Sequence, residues 1–554
     1  MSLETYYIGI DVGTGSVRAS LVKKDGSVVA SSIHDTITYR DPNDHRIFEQ
    51  STTNIWSNIC AAVKDCLSSS NTSPSAVKGL GFDATCSLAV SDFQGEPIIV
   101  TKGERLGQYG DRNVVLWADH RAEKEADLIN STESIVLDYV GGVMSLEMEI
   151  PKILWLKNHM DPTLFSRCQF FDLPDFLTYR ATSNVTRSCC SLTCKCSYVP
   201  KSEELGLIEG TPVGSGLIDA YAGWLGTVAA RYKEDGILSE IIPSLDTSQH
   251  RLAAVAGTST CHLVQVCQSP KGVFVNGVWG PYKDAVFQGW WMNEGGQSST
   301  GQLIDFILTT HPAYTKLVEL AKVQEKNIHT VLQEILEELR IERNVDTLTE
   351  LTKDLHIYPD FHGNRSPIAD PRMRGSFVGL ELDDGLNDLA RKYNVTLEAI
   401  ALQTRHIIDE MNAKGHDIST IYMSGGQAKN IPLMKLFADI CGMPVVLPFE
   451  HSAAVVLGAA MLGRFAAEFS ERSVQEEKEE GEESGTYIAP CDLSGQQQGD
   501  LLWKIMVEMT PVGTLVVPSA SAREKKLLET KYKIFRESIE IQKRWRKEMD
   551  EASK

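Results

Sequence analysis

From Tyr6 to Ala30 the chain reads YYIGIDVGTGSVRASLVKKDGSVVA. An apolar run, Tyr6 to Ile10, stops at Asp11 and at Gly13-Thr14-Gly15-Ser16, then resumes as Ala19–Val22. This pattern predicts strand, glycine-rich turn, strand, an Asp25-Gly26 turn and a third strand. Ser51 is placed to cap a helix whose apolar positions Ile55, Ile59, Ala62 and Val63 share one face. VKGLGFDATCSLAVSDFQGEPI returns to strand, with a turn at Gln94-Gly95. Strands alternating with amphipathic helices predict an α/β chain with a largely parallel sheet flanked by helices.

The opening pattern recurs. RLAAVAGTSTCHLVQV, Arg251 to Val266, is again apolar strand, Gly-Thr-Ser turn and apolar strand. Two related halves are therefore expected, with a boundary near residue 245. A third strand–glycine–helix junction is read in ISTIYMSGGQAKNIPLMKLFADICGMPVVLP. Ala453–Phe469 is strongly apolar but interrupted by Arg464 and Glu468, which predicts a buried helix rather than a membrane span. Beyond Phe469, ERSVQEEKEEGEESG is a glutamate-rich run expected to be a solvated loop or linker. Leu528, Tyr532, Phe535 and Ile539 then form an apolar stripe among charges, which predicts a helix packing on the body. The expected division is 1–245 and 246–470 for the two halves, and 471–554 for an acidic linker and helical extension.

At 554 residues the chain is too long for one core. Its net charge of −20 argues against nucleic acid or an anionic membrane as partner, since both need clustered cations. The start, MSLETYYIGI, has neither a basic region nor a long apolar run, so a cytoplasmic protein is expected. Its 12 cysteines should then be reduced thiols, and the Asn-x-Ser/Thr sequons at Asn71, Asn130, Asn184 and Asn394 irrelevant. The densest cysteine cluster, CCSLTCKC at Cys189–Cys196, lacks the CxxC pairing of zinc sites.

The small-residue turns carry the candidate chemistry. Gly13 and Gly15 let backbone N–H groups approach an oxyanion closely, and Thr14 and Ser16 add hydroxyl donors. A carboxylate beside them, Asp11, would repel a phosphate unless a Mg²⁺ lay between, directly or through water. Gly257-Thr258-Ser259 supplies similar donors from the second half. Two such hairpins across a cleft would hold the β- and γ-phosphates of a nucleotide, and Ser424-Gly425-Gly426 suits its nucleoside edge. Neither a Walker loop nor a Rossmann fingerprint fits, because no GxxxxGK[ST] occurs in these segments and a strand follows the glycines.

GIDVGTGSVRASLV, GFDATCSLAV, LWADHRA, PKILWL, GSGLIDAYAGWLG, AGTSTCHL, EGGQSSTG and SGGQAKN occur in this order. Together they resemble the FGGY carbohydrate kinases of the actin-like, ribonuclease-H-like ATPase superfamily, most of all their eukaryotic D-ribulokinase branch. The resemblance covers about residues 5–465. It implies two ribonuclease-H-like domains around a central cleft, closing on ATP, Mg²⁺ and a sugar. By motif matching, Asp11 would hold Mg²⁺, and Thr14, Gly15, Ser16 and Arg18 would surround the phosphates. Thr258 would contact the γ-phosphate, while Gly425, Gly426, Gln427 and Asn430 would frame the adenosine, with Gly301 nearby. Thr85, Cys86, Lys152 and Glu294 would bind the sugar, and Asp219 would be the catalytic base. Trp117, Asp119 and Arg121 fit either the sugar pocket or an internal brace.

The implied reaction is transfer of the ATP γ-phosphate to the terminal hydroxyl of a ketopentose, first of all D-ribulose. Xylulose, L-ribulose or another polyol would use the same base and phosphate corners. The small molecules are the expected partners, and a homodimer is compatible with the reading. Two departures from the branch stand out. The stretch between Cys196 and Gly206 is short, as though a helix and hairpin were missing, and Tyr221 stands where His is common. The first raises the alternative of a sugar- or nucleotide-binding protein with impaired turnover.

Overall fold

The computed structural model describes residues 4–195, 216–234, 236–239, 241–267, 272–449, 453–479 and 495–554. The short stretch between Cys196 and Gly206 and the later part of the glutamate-rich run lie outside these residues, as does Cys196. The chain divides into two compact units. The first holds residues 1–253, 263–294 and 448–513, and the second holds 254–262, 295–447 and 514–554.

The first unit is organised by a five-stranded sheet. Its strands are β1 (Tyr6–Val12), β2 (Ser16–Lys23), β3 (Val28–Asp35), β4 (Val77–Ala84) and β5 (Leu217–Ile218), in the spatial order β5-β4-β1-β2-β3. β1, β2 and β3 form the expected antiparallel meander, whereas β4 runs parallel to β1 and β5 parallel to β4. The C-terminal ends of β1, β4 and β5 therefore share one edge, where ligands gather in sheets of this kind. The predicted helix spans Thr52–Ser69, and the Ser51 side chain accepts from Asn54 N–H at its start. Ile55, Ile59, Ala62 and Cys66 are buried in the core with Ile8, Ile10, Val17 and Leu21 of the sheet.

The helix Ala454–Glu479 also packs on the sheet, and its apolar first half is buried as expected. Two register-paired glycines, Gly9 and Gly81, make this approach close. A Cβ on Gly9 would lie 1.8 Å from the Val456 carbonyl oxygen, and one on Gly81 would lie 2.0 Å from that of Ala459. Helix backbone thus rests directly on strand backbone beside the strands' functional ends. Contrary to the expected loop, Glu471–Glu479 continues this helix. Glutamate and lysine are good helix formers, so a charged run attached to a buried helix extends it readily. Among the described residues no helix is long and apolar enough to cross a membrane.

The second unit holds the helices Gly301–Thr309, Ile328–Glu342, Leu386–Ala413 and Ile431–Cys441. Strand Thr420–Ser424 leads into Gly425-Gly426 and then into the last of these, as the glycine junction predicted. The C-terminal helix, Ala522–Ala552, packs on this unit through the predicted stripe: Leu528, Phe535 and Ile539 are buried. Tyr358 and Phe535 rings lie 5.4 Å apart, and buried Lys531 pairs with buried Glu398.

Candidate active site

In the first unit, Asp11 near the end of β1 stands opposite Asp83 near the end of β4. Asp219 begins a short helix, Asp219–Leu225, immediately after β5, so the strand edge presents three carboxylates. Asp219 Oδ1 accepts from the next backbone N–H, that of Ala220, at 2.7 Å; the cap position itself is Ile218, whose side chain cannot accept. Burial pushes its carboxyl up to about 7, and the nearby Asp11 charge adds to this; Ala220 N–H and Lys195 work against it. Burial also raises Asp11, against the pull of Arg18, whose guanidinium lies 3.5 Å away. Asp83 is raised furthest, first by burial and then by the Asp11 and Asp219 charges. It is fully buried, and no N–H or O–H donor among the described residues reaches either of its oxygens. A proton shared with Asp11 is what the pair can offer instead.

Lys195, Glu294 and Cys86 lie near Asp219. Glu294 lies in strand Trp290–Gln297 and pairs with Lys195 at 3.5 Å, both side chains 1% exposed. The Lys195 ammonium also sits 4.1 Å from the Trp279 ring centre. Cys86 is held as a thiol by burial, among the charges of Lys195, Asp172, Asp219 and Glu294. Thr85 is buried next to it, its backbone N–H donating to Val12 carbonyl at 3.0 Å. Lys152 is buried too, but its ammonium meets three backbone carbonyls, those of Leu116 (2.8 Å), Trp117 (3.1 Å) and Glu147 (3.4 Å). Its three N–H donors are thus taken by the protein, whereas Lys195 is a cation within reach of Glu294. Arg121 is occupied likewise, by Asp119, Glu49 and the Val100 carbonyl, so Asp119 and Arg121 form the internal brace. Trp117 donates from its indole nitrogen to Thr14 Oγ1 at 3.0 Å.

The Gly13–Ser16 corner is shaped by Gly13 N–H donating to Ser16 carbonyl at 3.0 Å, and Gln50 holds the Thr14 carbonyl at 2.8 Å. Nothing stands within 4 Å of where a Gly15 Cβ would be, so its backbone is open to an approaching oxyanion.

The second unit brings the remaining residues together. Thr258, Gly301, Gly426, Gln427 and Asn430 all line one cavity of about 770 Å³. A Cβ on Gly301 would lie 2.5 Å from the Gly257 carbonyl oxygen, which fixes the residue type at this helix start. Gln427 Nε2 donates to Gly257 carbonyl at 2.9 Å and to Thr300 Oγ1 at 2.6 Å, tying the glycine junction to the second hairpin. Gly425 stands one residue behind, at φ +90°, where a Cβ would lie 2.2 Å from Ala256 carbonyl.

Two residues escaped the sequence reading. Asp83 had a signal: Ile8-Gly9-Ile10-Asp11 and Leu80-Gly81-Phe82-Asp83 repeat one pattern, and pair residue for residue. Lys195 had none, being a single cation inside a cysteine-rich run.

The N-terminal domain of the FGGY family of carbohydrate kinases matches residues 6–197, and the C-terminal domain of the same family matches 252–467. The chain belongs to the FGGY carbohydrate kinases. It is 35% identical to a D-ribulokinase of Saccharomyces cerevisiae over 687 aligned positions, covering 99% of this chain and 94% of the relative. That alignment is longer than the 554-residue chain, so the yeast protein carries residues this FGGY kinase lacks. An FGGY carbohydrate kinase domain-containing protein of Xenopus laevis is 42% identical, covering 88% of this chain and 93% of the relative. Among solved structures, the xylulose kinase from Rhodospirillum rubrum superposes with a TM-score of 0.64 at 18% identity, covering 98% and 99% of the two chains. The fold is therefore that of two actin-like, ribonuclease-H-like domains, and the protein is a sugar kinase.

Proposed function

We propose that this FGGY kinase transfers the γ-phosphate of ATP to the terminal hydroxyl of D-ribulose. One observation carries the reading: Asp219 sits at the strand edge with its carboxyl near 7, ringed by the Asp11, Lys195 and Glu294 charges. A carboxyl poised there can take the hydroxyl's proton as the bond to phosphorus forms. Glu294 and Lys195 would anchor sugar hydroxyls, with Thr85 and Cys86 as pocket wall. Thr14, Gly15, Ser16 and Arg18 would meet the transferred phosphoryl group, together with Thr258. Gly301, Gly425, Gly426, Gln427 and Asn430 would hold the adenosine. The choice of D-ribulose rests on likeness to the yeast D-ribulokinase at 35% identity.

A divalent cation fits the carboxylate edge by charge, since the two buried oxygens of Asp83 have no donor and Asp11 shares its site. Among the described residues, no three His, Cys, Asp or Glu side chains form a metal site of their own. Asp11 would therefore hold the ion together with phosphate oxygens. When bound, it supplies positive charge against the phosphates. The protein's own part is to orient the hydroxyl, to hold its proton on Asp219 and to keep Asp11 in place through Asp83.

The test is coupled ADP release with D-ribulose, xylulose, L-ribulose and glycerol. D-Ribulose-dependent turnover that exceeds the others is the expected result. Equal rates with every sugar would refute the substrate, and ATP binding without turnover on any would favour an impaired binding protein.

A further inference from the structure

Three residues lining the cavity of the second unit form a directional hydrogen-bond chain. Asn430 caps the helix Ile431–Cys441: its Oδ1 accepts from Leu433 N–H at 3.2 Å. That bond fixes which end of the amide is oxygen. Nδ2 therefore faces Tyr393 and donates to its hydroxyl oxygen at 2.8 Å. The Gln333 amide lies beside the same hydroxyl, with its Nε2 buried and otherwise unpartnered. Tyr393 is 1% exposed, so its own proton needs an acceptor. The acceptor at hand is His329 Nδ1, 3.2 Å away. His329 must then be neutral with its proton on Nε2. Burial favours the neutral imidazole, and it holds the Tyr393 hydroxyl protonated by pushing it up to about 12. The His329 backbone is fixed as well, by N–H donation to the helix-capping Asn327 at 2.8 Å.

His329 and Tyr393 both line the cavity with Asp305 and Asn430. We propose that His329 reads the base of the bound nucleotide, offering a fixed Nε2–H donor to a ring nitrogen of a purine, in a tautomer set by Tyr393 and Asn430. This deepens the nucleotide reading of the cavity and rests on it. A ring-nitrogen acceptor is the complement of this donor, and adenine carries three, N1, N3 and N7. His329 is the contact, whereas Tyr393 is a positioning residue that acts through it.

The experiment is calorimetric titration of the full chain with ADP and with its 1-, 3- and 7-deaza analogues, which each replace one acceptor by C–H. On the unaltered protein one of the analogues is expected to bind about tenfold more weakly than ADP. His329→Ala should weaken ADP by about the same factor and abolish the difference between ADP and that analogue. His329→Gln, which keeps an N–H donor, should recover part of the affinity. Tyr393→Phe should lower ADP affinity about threefold and shrink the analogue difference, because the ring is no longer held in one tautomer. Thermal unfolding without nucleotide should drop modestly in His329→Ala, which leaves the Tyr393 hydroxyl without its acceptor, whereas the loss of discrimination between ADP and the analogue is a readout that a merely structural role would not move. Equal ADP affinity in His329→Ala, or equal affinity for all analogues on the unaltered chain, would overturn the proposal while leaving the kinase reading intact. No ADP binding by the unaltered chain would overturn both.

Discussion

Asp11 and Asp83 are register partners on adjacent parallel strands, two carboxyls facing one another in the core of the first unit. Replacing one of them by an amide should expose what the pair costs the fold. Burial raises Asp83 above its ordinary range, so the folded chain binds a proton that the unfolded chain has released. Stability from this group is therefore present at low pH and falls as pH rises from about 4 through its folded value. Asp83→Asn is expected to stabilise the protein at pH 8 by about 1–2 kcal/mol, with little gain at pH 4. Thermal unfolding across pH 4–8 checks this. The same variant should bind Mn²⁺·ADP several-fold more weakly if Asp83 supports the cation through Asp11.

Asp219 should govern the acid side of the pH profile. With its carboxyl near 7, the base is ionised only above that pH, so kcat should rise as pH increases through about 7 and then level. Asp219→Asn should lower kcat by about 10²–10⁴ and flatten that rise, with ADP binding unchanged. Rates measured from pH 5.5 to 8.5 decide it.

Lys195 and Lys152 should separate cleanly. Lys195→Met leaves Glu294 buried without its lysine, and is expected to raise the sugar KM by at least tenfold and cost about 3–5 kcal/mol in stability. Lys152→Met strips three carbonyls of their shared donor and should destabilise the chain while leaving the sugar KM within about twofold. Steady-state kinetics together with denaturant unfolding distinguish the two.

Two glycines should fail in different ways. Gly81→Ala drives a methyl to 2.0 Å from helix backbone and should cost on the order of 4 kcal/mol or prevent folding. Gly15→Ala meets nothing within 4 Å and should fold normally, with its loss confined to phosphate affinity. Unfolding midpoints and ADP titrations read the two effects.

Much of this was legible in the chain because it is written in backbone chemistry. The Gly13–Ser16 and Gly257–Ser259 turns, the Ser51 cap and the Gly425-Gly426 junction announce themselves through residues that few other conformations require. Asp219 was legible only as part of an ordered set of motifs, since alone it is indistinguishable from a helix-starting aspartate. Asp83, Lys195 and Lys152 were harder for one reason: what decides their roles is which buried neighbour each finds, and that is settled by tertiary packing. Lys152 sits in a recognisable motif and spends its charge on carbonyls; Lys195 hides among cysteines and meets Glu294. The charged run Glu471–Glu479 misled because composition says solvated but does not say unfolded.

The C-terminal helix lies beyond residue 467, where the family match ends, yet Lys531 reaches back into the second unit to neutralise Glu398. A protease or a premature stop that removed this tail would leave a buried carboxylate without its cation, held by the Thr352 hydroxyl and the Asn394 amide. The minimal self-sufficient piece of this enzyme is therefore longer than its recognisable kinase sequence, and the tail belongs to the machinery rather than to the packaging.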